Sequence, residues 1–153
     1  MSWLRIFVDE LHSFEWVAIV IARVAVGVLF FLSGRGKLFV PERRDQMRQT
    51  LIKAHLPFPD LNAVIVSTVE FVCGLLLVIG ALTPLASGML GCVMIVAIVT
   101  SATRNIKASC PLGWLAEFLY LPEVLYLVIF IWLFFSGPGW LSVDHLFLSQ
   151  AFL

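Results

Sequence analysis

Residues 16–35 read WVAIVIARVAVGVLFFLSGR, an apolar run whose interior holds one charged residue, Arg23. A helix needs about 20 mostly apolar residues to cross a bilayer, so this run predicts a transmembrane helix. Further apolar segments cover about 61–82, 85–103 and 115–135, and only ALTPL (81–85) joins the second segment to the third. The sequence therefore predicts an all-α membrane protein, a four-transmembrane-helix up-down bundle that forms a single domain over 1–153.

Composition supports the membrane class and argues against several others. Of 153 residues, 61% are hydrophobic and 13% charged, whereas a soluble domain is about half apolar and about a quarter charged. The formal net charge is +0, which gives no reason to expect nucleic-acid binding. The three cysteines, Cys73, Cys92 and Cys110, have neither the number nor the spacing of a disulfide framework or a metal site. The expected partner is the lipid bilayer, and no metal is expected.

Positive charge is unevenly distributed among the connections, and this predicts the topology. The first connection is rich in Lys and Arg, and its segment 41–57 has the pattern of a short amphipathic helix. Arg104 and Lys107 lie in the third connection, whereas the second has neither residue type. Loops rich in Lys and Arg stay in the cytoplasm, and a basic amphipathic helix lies on the membrane surface. We therefore expect a multi-pass protein of the bacterial cytoplasmic (inner) membrane, with the helix 1–2 and 3–4 connections in the cytoplasm.

Arg23, Glu70 and Glu123 are ionisable residues inside three of the predicted spans. A charge near the bilayer centre costs roughly 2.5–3.5 kcal/mol on insertion scales, so such residues usually face the bundle interior and find partners. Counted from the predicted cytoplasmic ends, all three lie roughly 14–18 Å deep at about 1.5 Å per residue. We therefore predict one buried cluster in which Arg23 faces both glutamates, and we assign catalytic roles to these three residues.

Small and polar neighbours accompany the two glutamates at helical spacing. Residues three and four apart lie side by side on a helix surface, and a tyrosine hydroxyl can donate to a carboxylate. Two such neighbours share the face of Glu70, and two bracket Glu123 three residues away on either side. The residues predicted on this ground to bind substrate are Ser67, Cys73, Tyr120 and Tyr126.

The charged cluster has a structural interpretation as well as a functional one. An Arg23–Glu70 ion pair would simply hold the bundle in one register, since structural ion pairs also occur in proteins. Two acids against one base favour function, because neutralising both requires a second cation or a proton held on one of them. Such a carboxylic acid is a typical proton donor or acceptor.

Three motifs follow one another along the chain: ARVAVGVLFFLSGRGKLF at 22–39, Glu70 followed by GLLLVIG at 74–80, and GPGWLSVDHL at 137–146. In order and spacing they resemble the DoxX-like family of integral membrane proteins. The matching positions are Arg23, Gly27, Gly34, Lys37, Glu70, Gly80 and Asp144. The resemblance implies a four-helix membrane bundle, and Lys37 joins the predicted substrate-binding residues. The family takes its name from a subunit of a thiosulfate:quinone oxidoreductase, and other members associate with redox-defence and sulfur-handling enzymes.

The first functional hypothesis is a redox-associated subunit that binds a quinone or a small sulfur compound beside the charged cluster. Arg23 would orient an anionic or carbonyl oxygen, and a glutamate would relay the proton that accompanies electron transfer. The electrons would come from a soluble or membrane-bound redox partner or from the substrate, and quinone is the candidate cofactor. The alternatives are a small proton-coupled transporter or channel, which homo-oligomerisation would help to form, and a non-catalytic membrane scaffold. Only the first hypothesis makes the protein part of an enzyme.

Overall fold

Helices make up nearly all of the chain that the structure describes. The structure is a computed structural model, and it describes residues 14–54, 56–103, 106, 110–139 and 142–144, with no β-strand in those ranges. The helices in chain order are α1 (Glu15–Phe39), α2 (Pro41–Lys53), α3 (Pro59–Ile79), α4 (Thr83–Ala97), α5 (Pro111–Leu119) and α6 (Pro122–Ser136), and a π-helical turn over Ile98–Ala102 continues α4. The predicted all-α class is confirmed for this part of the chain.

Three helical stretches are long and apolar enough to cross a membrane: Glu15–Phe39, Pro59–Ile79 and Thr83–Thr100. Together α5 and α6 pass the same test, but their axes differ by 62° across a short break. The described helices therefore provide three spans, or four if the bent pair counts as one. The prediction of a multi-span membrane protein is confirmed, and the segment 115–135 differs from expectation in being two helices rather than one.

The break between α5 and α6 follows from Pro122. Proline has no backbone N–H, its ring clashes with the carbonyl four residues earlier, and it restricts the preceding residue to an extended conformation. Leu121 accordingly has φ −67° and ψ 127°, and α6 begins at Pro122. Glu123 consequently lies in the first turn of α6 rather than in the middle of one continuous helix over 115–135.

α1 and α3 pack through glycines, closer than two rows of larger side chains would permit. A Cβ atom at Gly34 would lie 2.4 Å from the backbone nitrogen of Phe71, and one at Gly74 would lie 2.4 Å from that of Phe31. A Cβ atom at Gly27 would meet the Gly74 carbonyl oxygen at 3.0 Å. Small residues on facing strips allow such an approach, and the van der Waals contact that results is a main source of helix association in lipid. These contacts fix the register of α1 against α3.

A tight turn joins α3 to α4 and allows them to pack antiparallel. Gly80 ends α3 with φ 75°, a left-handed conformation that glycine adopts without steric cost, and its N–H donates to the Leu76 carbonyl at 2.8 Å. Below the turn, side chains from α1, α3, α4 and α6 meet in the apolar core. The most deeply buried of these are Leu77, Ala86, Leu90, Phe130 and Leu133.

Helix α2 occupies the connection between α1 and α3, where the sequence predicts an amphipathic helix. Pro41 opens it, and Leu51 is buried against the bundle, whereas Ile52 is exposed. Arg48 Nε lies 2.5 Å from Asp60 Oδ1 and ties α2 to the first turn of α3. The position of α2 at the membrane surface stays a prediction. Arg104 and Lys107, which also support the predicted topology, lie outside the described residues.

Replacing Gly34 with alanine tests the helix contact. We expect Gly34→Ala to lower the free energy of unfolding by about 1–3 kcal/mol, because the added methyl group forces α1 and α3 apart. The matched control is Gly91→Ala in α4, where a Cβ atom would meet its nearest neighbours only at 3.8 and 3.9 Å. Thermal unfolding in mild detergent measures both, and equal melting temperatures for the two variants would contradict the packing described here.

Candidate functional site

Lys37 and Glu70 form a close ion pair between α1 and α3. Lys37 Nζ lies 2.7 Å from each carboxylate oxygen of Glu70, and Ser33 Oγ donates to Glu70 Oε2 at 3.1 Å. The Glu70 side chain is 4% exposed and that of Lys37 24%. Helical side chains lean toward the helix N-terminus, so Lys37, near the end of α1, reaches back into the bundle. The contact of Gly34 with α3, one turn away, places the two residues opposite each other.

This ion pair forms part of the wall of a cavity of about 540 Å³. Small-molecule sites typically have volumes of about 300–1,000 Å³, a mostly apolar wall and a few convergent polar groups. All helices except α5 contribute to this wall, and α2 contributes Met47, Thr50 and Leu51. Its apolar residues include Phe30, Leu51, Val66, Val93, Met94 and Ala97. We call the part of the wall formed by Ser33, Lys37 and Glu70 the polar corner, and the rest of the wall is largely aliphatic.

Glu123 and Tyr126 lie one turn apart in α6 and line the same cavity. The first turn of a helix favours an acidic side chain because the helix dipole is positive there. Glu123 Oε2 is buried and has no hydrogen-bond partner among the residues that the structure describes. The Tyr126 ring packs edge-on against Phe30, with ring centroids 5.4 Å apart. The structure thus brings Lys37, Glu70, Glu123 and Tyr126 to one cavity, and their roles there stay predictions.

Arg23 lies elsewhere, so the predicted pairing of Arg23 with Glu70 is wrong. The buried guanidinium donates from Nη1 to the Pro138 carbonyl oxygen and interacts electrostatically with Asp144. It lies 14 residues before Lys37 in α1, or roughly 21 Å along the helix axis. The physical reason is the register that the glycine contacts impose. It shifts α1 along α3 relative to the alignment expected from the predicted ends of the two segments. That register carries Arg23 past Glu70 to the far end of α3, beside Gly80.

Asp144 completes a second polar arrangement at this far end. Its carboxylate accepts hydrogen bonds from Leu82 N at 2.7 Å and Thr83 N at 3.0 Å, and its own N–H donates to the Gly80 carbonyl at 3.1 Å. An acidic side chain that accepts from the first free N–H groups is the usual cap of a helix N-terminus. It also supports Leu82, whose φ of 50° is costly for a residue with a side chain. Two sets of contacts thus hold the segment after α6 against the bundle: Arg23 binds Pro138, and Asp144 binds the α3–α4 turn. We call these contacts together the tail latch.

The remaining predicted binding residues do not line the cavity. Ser67 is buried between α1 and α3, and its hydroxyl donates to the Ala63 carbonyl at 2.6 Å. Cys73 lies in the apolar core, with Sγ 3.9 Å from Met89 Sδ. Tyr120 is 89% exposed, because α5 ends there and the bend before α6 removes it from the face of Glu123. The substrate-binding roles of these three residues stay predictions, and the structure places all three outside the cavity wall.

Ser33 belongs to the site although no sequence pattern singled it out. It lies four residues before Lys37 in α1, and residues at this spacing share a helix face. On α3 the wall residues Asn62, Val66 and Glu70 repeat the same spacing. Counting in steps of four residues from Lys37 along α1 and from Glu70 along α3 would have found this face from the sequence.

The polar corner has free capacity to bind a ligand. An ammonium group has three N–H donors, and the Lys37 ammonium directs its described hydrogen bonds to Glu70 alone. The Glu123 carboxyl has an oxygen without a described partner. The wall of this cavity therefore offers a ligand both a cationic donor and a carboxyl group. Within the described ranges, no group of three His, Cys, Asp or Glu side chains is arranged to hold a metal ion.

The apolar spans and the ion pair buried between them define a small multi-span membrane protein with a polar cavity. The chain belongs to the DoxX family, whose profile matches residues 18–103. It is also 31% identical over 156 residues to an uncharacterized membrane protein of Mycobacterium tuberculosis, a match that covers 98% of this chain and 91% of that protein. No solved structure matches the chain. The resemblance to DoxX-like proteins is confirmed, and the family match includes Lys37 and Glu70 but ends before Glu123 and Asp144.

The energetics of the ion pair can be tested by removing one partner and then both. Lys37→Met should lower the free energy of unfolding by about 3 kcal/mol, near the low end for a buried pair because Lys37 is partly exposed. Lys37→Met combined with Glu70→Leu should recover most of that loss, because no charge is left buried alone. Thermal unfolding in mild detergent provides the measurement.

The exposed pair between Arg48 and Asp60 is the control for this cycle. Asp60→Asn should cost less than about 1 kcal/mol, the usual value for an exposed ion pair. A double variant that is less stable than Lys37→Met would contradict the buried position of the pair.

Proposed function

We propose that this DoxX-family protein is a redox-associated membrane subunit that binds a quinone in the cavity beside Lys37, Glu70 and Glu123. The observation that carries the proposal is the cavity itself, which places an ionised corner inside an otherwise apolar wall between membrane-spanning helices. A quinone has the matching chemistry, since its carbonyl oxygens are polar and the rest of the ring and tail is apolar. The family resemblance to a quinone-linked enzyme subunit supports the same ligand.

The cavity residues suit the proton chemistry of a quinone. Reduction to the quinol takes up two electrons and two protons, and the cofactor itself carries the redox chemistry. Lys37 would donate a hydrogen bond to a quinone oxygen while it stays paired with Glu70. Glu123 would exchange a proton with the other quinone oxygen, because its buried Oε2 has no described partner. The electrons would come from a reduced centre on a soluble or membrane-bound partner, or from a small sulfur compound.

The proposal includes the placement of the chain in the membrane. The described spans and the bent α5–α6 pair would form one up-down bundle in the bacterial cytoplasmic membrane, with α2 and the α4–α5 connection on the cytoplasmic side. The basic residues of α2 support this orientation, and α2 would lie on the membrane surface. A redox partner would then dock from the cytoplasm near α2, beside the wall residues of that helix, and a homo-oligomer is compatible with this arrangement.

Quinone binding by purified protein tests the proposal. A short-tailed benzoquinone titrated into detergent-solubilised protein should bind, and Glu123→Gln should weaken binding about tenfold, the effect of losing roughly 1.4 kcal/mol of hydrogen bonding. Glu70→Gln should abolish quinone-linked turnover while the protein stays folded, because the carboxylate that positions the Lys37 ammonium is lost. The matched control is Glu42→Gln, which changes an exposed glutamate of α2 outside the cavity wall. Equal binding by wild type and Glu123→Gln, or unchanged turnover in Glu70→Gln, would refute the assigned roles.

A proton-coupled transporter is the second candidate, and the interrupted α5–α6 segment favours it. Broken helices often form the substrate sites of transporters, because their free ends bind ions and solutes, and Glu123 lies at such an end. In proteoliposomes, a transporter would carry a small oxyanion such as thiosulfate in response to a proton gradient, and Glu70→Gln would not. Flux in wild-type vesicles equal to that in empty vesicles would remove this candidate and leave the first.

A further inference from the structure

We infer that the cavity opens sideways into the lipid at the depth of Glu70, so that its ligand is a bilayer-borne amphiphile that enters between the helices with its tail in the membrane. This inference deepens the proposed function, on which it rests, by naming the ligand class: a molecule with an oxygen-bearing polar head and an apolar tail. It excludes small water-soluble sulfur compounds as the occupant of the cavity.

The first observation is that some wall residues are also part of the outer surface. Cys92 and Val96, one turn apart in α4, line the cavity and are exposed, Val96 by 50%. Leu29 does the same on α1. A residue that belongs to both surfaces marks an opening in the wall, and exposed wall residues in α2 and at the start of α6 mark openings there as well. Because Leu29, Cys92 and Val96 lie within predicted spans and lack charge, the opening that they mark faces hydrocarbon rather than water.

The second observation fixes the depth of this opening. Cys73 Sγ lies 3.9 Å from Met89 Sδ, which aligns α3 with the antiparallel α4. Moving three residues along each helix, away from the turn, brings Cys92 level with Glu70. Glu70 lies eleven residues after Pro59, or roughly 16 Å from the start of α3, which is about the middle of a hydrocarbon layer of roughly 30 Å. The polar corner is thus accessible from mid-membrane.

The distribution of polar groups across the cavity fits an amphiphile. The charged or hydrogen-bonding wall residues include Ser33, Lys37 and Glu70 on α1 and α3 and Glu123 on α6, whereas the wall residues of α4 carry no charge. The hydroxyl of Thr100, the next wall residue on this stripe, donates to the Val96 carbonyl at 2.7 Å, so it adds no free donor. A head bound at the ion pair would leave its tail along this apolar stripe and out into the lipid.

Site-directed spin labelling tests the opening without any ligand. Protein with Cys110→Ser is labelled at Cys92 and reconstituted in phosphatidylcholine vesicles, while the buried Cys73 stays unlabelled. Collisions with molecular oxygen, which concentrates in hydrocarbon, are compared with collisions with a water-soluble nickel chelate. A label at Thr50→Cys, with Cys92→Ser, provides the matched control from the α2 end of the same cavity. The ratio of oxygen to nickel accessibility should be at least about tenfold higher at Cys92, because polar chelates are excluded from hydrocarbon.

The outcomes separate this inference from its competitors. High nickel accessibility at Cys92 would overturn it, since the opening would then hold water, as the transporter candidate requires. Spin–spin broadening with low access for both reagents would also overturn it, because a second copy of the chain would then cover the opening. Labelling at Val96→Cys, in the Cys92→Ser background, repeats the test if the first label perturbs folding.

A tail-dependence measurement links the opening to the ligand. A long-tailed quinone should reduce oxygen accessibility at Cys92, whereas a tailless benzoquinone should bind without that reduction. If no quinone binds while Cys92 remains accessible to oxygen, the proposed function fails and the lipid-facing opening stands. If quinones bind and the tail leaves Cys92 unaffected, the inference fails and the proposed function stands.

Discussion

Where α1 crosses α3, the missing side chains of Gly34 and Gly74 let each helix touch the backbone of the other. The rest of the described structure depends on this approach. It sets the register at which Lys37 meets Glu70, and it places Arg23 beside the turn after α3 rather than beside the glutamate. Without a hydrophobic driving force between helices in lipid, such close van der Waals contact is what makes the register unique.

Arg23, Lys37, Glu70 and Glu123 consequently fall into two groups that lie at different depths in the bundle. Arg23 belongs to the tail latch, which connects α1, the α3–α4 turn and the segment after α6. Lys37 and Glu70 belong to the cavity, where Glu123 adds an acid with an oxygen that has no described partner. In the first group, partners far along the chain, Pro138 and Asp144, offset the cost of burying the Arg23 charge. In the second group, part of the polar capacity is left for a ligand.

Much of the fold could be predicted from the sequence, and less of the site. Apolar runs and the position of Pro41 predict the spans and α2 well, because hydropathy and proline geometry act locally. The pairing of Glu70 was predicted with the wrong base, because depth counted from segment ends ignores how far one helix slides along another. Gly34 and Gly74 determine that slide, and their effect depends on which faces meet. Tyr120 was misplaced for a related reason, since Pro122 changes the direction of the chain after it.

The tail latch also has a consequence for how the chain is made. The carbonyl partner of Arg23, on Pro138, lies 115 residues further along the chain, and Asp144 follows it. At a synthesis rate of about 5–20 residues per second, roughly 6–23 s separate the emergence of the arginine from that of these partners. During that interval α1 holds a guanidinium that lacks its final carbonyl and carboxylate neighbours. The order of translation therefore delays completion of these contacts until the segment after α6 has left the ribosome, and a chain truncated before Pro138 is left with a costly charge inside α1.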